Sequence, residues 1–105
     1  MSWKEILKTY IKQATSTAQD FLHNDEPMYI WWTEKVRMLA EDGKTGEQIK
    51  QTLVKELPEM MAHNKNFMKY LTRGNRSYAL HDVDWGKIVD DMEDDIAEFG
   101  LARNR

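Results

Sequence analysis

The chain has 105 residues, 41% of them hydrophobic and 31% charged, with five glycines, two prolines, no cysteine and a net charge of −3. That length forms one domain with one modest core, and the composition is globular, not disordered. The missing cysteine excludes disulfides, thiolate chemistry and cysteine-bound zinc, and a reducing, cytoplasmic setting is expected.

The first predicted element opens at "SWKE", where Ser2 and Glu5 have the spacing of a capping box. From there Trp3, Ile6, Leu7, Tyr10, Ile11, Ala14, Ala18, Phe21 and Leu22 recur at helical spacing and share one face. Ala14 and Ala18 sit near the middle of that face, where small residues let another helix approach closely. "HNDEP" breaks the pattern, and Pro27 suits the start of a second helix running to about Asp42 and stopped by Gly43. In it Met28, Trp32, Val36 and Leu39 make one apolar row and Trp31 with Met38 another. Lys35 falls between the rows with its stem along apolar surface.

Thr45 and Gln48 form the next capping box, before a helix that buries Ile49, Leu53 and Leu57. Pro58 disfavours helix at Leu57, so a break or kink is expected there. A fourth helix should carry Met61, Phe67, Met68 and Leu71 inward and end near Gly74. "GNRSYALHDVD" reads as a loop with a short extended piece at Tyr78–Leu80. Asp84 then caps a last helix. Its Trp85, Ile88, Val89, Met92, Ile96 and Phe99 fall within an arc of ~100°, opposite Asp90, Asp91, Asp94 and Glu98. Gly100 should end it, leaving "LARNR" frayed. The sum is an all-α single domain over residues 1–105, with four to five helices in orthogonal or bundle-like packing and little or no sheet.

Charge is uneven along this order. Residues 1–43 carry five basic and seven acidic groups (−2), residues 44–80 seven and three (+4), residues 81–105 three and eight (−5). No stretch approaches ~18 consecutive apolar residues, so no membrane partner is expected. The amino-terminal stretch lacks the apolar core of a secretory signal.

Several stretches resemble chemistry without completing it. "DVDWGKIVDDME" puts Asp82, Asp84 and Glu93 at positions 1, 3 and 12 of a calcium loop. It puts Gly86 where the third ligand belongs and Lys87 where the turn glycine belongs. Stabilisation of a helix start is the better use of Asp82 and Asp84. "GKTGE" lacks the spacing of a phosphate loop, the serines lie in no nucleophile elbow, and His23, His63 and His81 show no metal-ligand spacing. No cofactor, metal or catalytic residue is expected. Lys65, Lys69 and Arg73, spaced four apart with Arg76 just beyond, would make a basic ridge able to follow phosphates. The acidic face of the last helix could neutralise that ridge or meet a basic partner.

Trp31 and Trp32 pose the sharper question. Adjacent helical residues point ~100° apart, so one core cannot take both rings centrally. Trp32 belongs inside with Met28 and Val36. Tyr29, Trp31 and Met38 form a candidate protein interface, because tryptophan and methionine are enriched at interface centres. The expected function is a non-catalytic protein-interaction or self-associating module, with a homodimer as the partner of choice. The alternative is a nucleic-acid binder using Lys65, Lys69, Arg73 and Arg76. The short, cysteine-free, tryptophan-rich style suits a phage or bacterial accessory protein, but no motif names a family.

Overall fold

The computed structural model describes residues 2–74 and 76–102, with residues 99–102 described as backbone. It is all-α, as the periodicity requires. Among the described residues there are six α-helices and no strand.

Helix α1 spans Trp3–Asn24. The Ser2 half of its capping box is formed, the hydroxyl accepting the Glu5 N–H at 3.3 Å. Asp25 alone connects it to α2, Glu26–Glu41. Its N–H donates to the Phe21 carbonyl at 2.9 Å, closing α1, while its carboxylate accepts the Met28 N–H at 3.3 Å, opening α2. One residue serves as stop and start, so the turn is sharp. Gly43 ends α2 as expected, with φ +84° in the left-handed region and Lys44 N–H donating to the Leu39 carbonyl.

Helix α3 spans Gly46–Ala62 behind a complete Thr45–Gln48 capping box. Of the break or kink expected at Pro58, the break does not occur, and the helix runs through it. Proline removes one ladder bond. Against that cost, Leu57 and Met61 are both fully buried and hold the helix to its register across the defect. Met61, expected in the fourth helix, therefore belongs to α3. Helix α4, Lys65–Leu71, is capped by Asn64, whose Oδ1 accepts the Phe67 N–H at 3.0 Å. Phe67 and Leu71 are buried, whereas Met68 lies at the surface, contrary to expectation. Met68 is one residue past Phe67, ~100° round the helix, and a two-turn helix has only one covered side.

Of the extended piece expected at Tyr78–Leu80, Ala79 is extended, with φ −102° and ψ 161°, but no strand forms and Leu80 departs from it. Leu80–Asp82 instead form a short 3-10 turn, closed by Asp82, whose carboxylate accepts the Ala79 N–H at 2.8 Å. The single last helix becomes two, α5 at Trp85–Asp91 and α6 at Glu93–Ala102, parted at Met92. A continuous helix would set Asp90 beside Asp94 and Asp91 beside Asp95, both repulsive at that spacing. Parting at Met92 makes Glu93, Asp94 and Asp95 the first turn of α6, where acidic groups are favoured. It also lets the apolar stripe serve different neighbours, α5 packing on α3 and α6 on α2. The stop expected at Gly100 is not made; α6 continues to Ala102, since one glycine inside a helix costs only about 1 kcal/mol. The expected burial of Phe99 and fraying of residues 103–105 lie outside the described side chains.

The core joins Ala14, Ala18 and Leu22 of α1 to Trp32, Leu53, Phe67 and Ile88 of α2, α3, α4 and α5, each with no exposed surface. A polar contact between helices sits inside it. Thr15, 3% exposed, accepts the Asp84 N–H through its hydroxyl at 2.8 Å. This ties the start of α5 to the middle of α1. Thr15→Val keeps the shape but strands that donor, and should lower the unfolding free energy by about 1–2 kcal/mol in urea titration. A loss below ~0.3 kcal/mol would show that water replaces the hydroxyl.

Candidate interaction surface

Helix α2 buries one side only. Met28, Trp32, Val36 and Ala40, each four residues apart, face the core and are all under 8% exposed. Leu39, expected in that row, is half-buried at its edge. Trp31 is rotated ~100° from Trp32. It lies half-buried, its ring packed against the core margin.

Beside it Met38 is 58% and Ile30 52% exposed. Pro27, Ile30, Trp31, Glu34, Lys35 and Met38 line an open, mainly apolar depression of about 490 Å³. Lys35 forms one wall, with its ammonium 2.9 Å from Glu56 on α3. Its stem lies along apolar surface as the sequence implied. Glu34 forms another, 2.7 Å from Arg37.

Of the three residues expected to form the interface, Trp31 and Met38 meet and Tyr29 does not. Tyr29 is ~160° from Trp31 around the helix and packs edge-on to the Trp32 ring at 5.3 Å. Ile30 and Pro27 take its place. Helical phase already put Ile30 nearer to Met38 than Tyr29 is, so the signal was present in the sequence.

A second exposed apolar surface lies at the amino-terminal end of the face that the α1 periodicity predicts. On α1, Trp3 is 78%, Ile6 44%, Leu7 52% and Ile11 40% exposed. The stripe that is closed over from Ala14 onward is open before it. Tyr10, half-buried, marks the edge: its hydroxyl donates to the Ser77 carbonyl at 3.0 Å and its ring meets Tyr78 at 5.1 Å.

The basic ridge is partly dismantled. Lys65 and Lys69 are exposed one turn apart on α4, but the helix ends at Leu71, so Arg73 leaves their line. Arg76 folds back over the Tyr70 ring, 4.9 Å from its centroid, and donates to the Tyr70 carbonyl at 3.2 Å. Asn64 is occupied as the cap of α4. Among the described residues no ion pair joins the acidic face to that ridge within one chain. Lys50 of α3 reaches Asp90 at 3.8 Å and Glu93 at 3.3 Å, across the α5–α6 break, and Lys87 reaches Asp91 at 3.3 Å.

Asp82 and Asp84 act as caps, Asp84 Oδ1 accepting the Lys87 N–H at 3.1 Å. Among the described residues no three His, Asp or Glu side chains are grouped to hold a metal ion, and no helix is long and apolar enough to cross a membrane. The chain matches no known family, and no curated protein or solved structure matches it either.

Proposed function

We propose that the chain is a non-catalytic, self-associating helical module whose contact surface is the outer face of α2. The observation that carries this reading is the apolar depression around Trp31 and Met38, left open by a core that closes fully over the opposite side of the same helix. Burying an exposed apolar surface against another chain returns roughly 25 cal/mol per Å². A rigid tryptophan and an adaptable methionine are suited to the centre of such a contact.

Absolute mass by light scattering, at low and moderate salt, tests it. The expected result is a species of two 12.5-kDa chains that survives moderate salt, because apolar burial is not screened as surface ion pairs are. Trp31→Ala should shift it to the single-chain mass while leaving the helical signal intact. A 12.5-kDa mass at high concentration would overturn the reading.

A further inference from the structure

The chain that leaves α4 is tied back onto α1 by two tyrosines. The Tyr10 hydroxyl donates to the Ser77 carbonyl at 3.0 Å, and the Tyr78 hydroxyl donates to Gln13 Oε1 at 3.2 Å. The two rings are half-buried, with centroids 5.1 Å apart. Just before them the Arg76 N–H donates to the Arg73 carbonyl at 3.2 Å, closing a turn in which Gly74 has φ +67°. That left-handed conformation suits glycine. Arg73 and Arg76 line one cavity of about 580 Å³ together with Tyr10, Gln13, Ser77 and Tyr78. Small-molecule sites occupy roughly 300–1,000 Å³.

No carboxylate lines this cavity, while two permanently cationic guanidiniums do. The oxygens of its lining are already engaged, since the Ser77 carbonyl, Gln13 Oε1 and the Arg73 carbonyl each accept a hydrogen bond from within the chain. What is left over is donors. Among the described residues the Arg73 guanidinium makes no hydrogen bond or ion pair. Arg76 commits Nη1 to the Tyr70 carbonyl at 3.2 Å and lies 4.9 Å from the centroid of that ring. These contacts fix its guanidinium and leave its remaining N–H groups for a ligand. Surplus donors, two positive charges and no acid together select an oxyanion. A phosphate monoester, at about −1.5 to −2 near neutral pH, matches two arginines where a single carboxylate matches one.

We infer that this cavity binds a small organic phosphate, with Arg73 and Arg76 on the phosphate oxygens and the organic part in the space beside Tyr10 and Tyr78. A bare phosphate ion would leave most of the volume unfilled. The cavity shares no residue with the depression on α2, so this inference stands whether or not the chain self-associates. A nucleic-acid strand fits less well. It would need Lys65 and Lys69, which lie outside the lining, on one line with Arg73.

Titration with phenyl phosphate at constant ionic strength, followed through amide chemical shifts, tests this. Saturable shifts are expected at Gln13, Arg73, Gly74, Ser77 and Tyr78. Inorganic phosphate and benzoate, each lacking one half of the ligand, should bind at least about tenfold more weakly. R73Q removes a side chain with no partner among the described residues, so the free protein should melt as wild type does. It should nevertheless weaken phenyl phosphate by about tenfold or more. K65Q/K69Q, outside the cavity, should change the affinity by less than about twofold. No saturation at millimolar phenyl phosphate, or R73Q binding like wild type, would overturn the inference. Benzoate or inorganic phosphate binding as tightly as phenyl phosphate would overturn the ligand class. A single-stranded oligonucleotide that binds where phenyl phosphate does not, and is lost in both R73Q and K65Q/K69Q, would assign the arginines to nucleic acid instead.

Discussion

Replacing Trp32 by alanine is expected to lower the unfolding free energy by about 3–5 kcal/mol, against at most ~1 kcal/mol for Trp31→Ala. Trp32 has no exposed surface and carries Tyr29 and His23 edge-on to its ring. Its removal leaves a cavity that rigid helices on three sides cannot collapse. A domain of this length survives one such loss at most, with a total stability of about 5–15 kcal/mol. The melting temperature should fall by roughly 15–30 °C, whereas Trp31→Ala should move it by a few degrees. The comparison must be made at concentrations where wild type and variants are both single chains, so that Trp31 is judged without its partner. Equal losses at the two positions would mean that Trp31 belongs to the core and that α2 has no free face.

The assignment behind this expectation was legible from helical phase alone. Trp32 lies in line with Met28 and Val36, and no arrangement of one core takes its neighbour as well. Caps were equally legible, because Ser2, Thr45 and Asp84 each hydrogen-bond within three residues of themselves and need nothing from the rest of the fold. Phase says which residues share a face but not how far along the helix that face is covered. Trp3, Ile6 and Leu7 have the same phase as Ala14 and Ala18, and only the finite length of the neighbouring helices leaves the first three open. Pro58 and Met92 show the same limit from the other side. Burial of Leu57 and Met61 overrides a helix breaker, while at Met92 a stripe with no glycine or proline is parted by like charges and by two different packing partners. Lys50, which joins α3 to both sides of that break, is one lysine among many until the fold brings Asp90 and Glu93 to it.

Phe67→Ala should rival Trp32→Ala, at about 3–5 kcal/mol, for a different reason. Helix α4 has seven residues, far short of the ~12–15 at which a helix begins to stand by itself. It exists because Phe67 and Leu71 hold it down. The Phe67 ring lies 5.3 Å from Phe21 of α1 and 6.2 Å from Trp85 of α5, so one side chain fastens three helices. Truncating it removes the cavity contents and the anchor together. Amide exchange across residues 67–71 should therefore quicken by more than the global loss of stability accounts for, because the segment can open locally. Met68→Ala on the surface of the same helix should cost no more than about 1 kcal/mol and leave that exchange unchanged. If Met68→Ala proved the costlier change, α4 would be rotated from the orientation described, and Lys65 and Lys69 would turn with it toward a different side of the molecule. A large global loss at Phe67 without local opening would place α4 inside the cooperative core, with Asn64 and the Leu71–Tyr78 contact holding its ends.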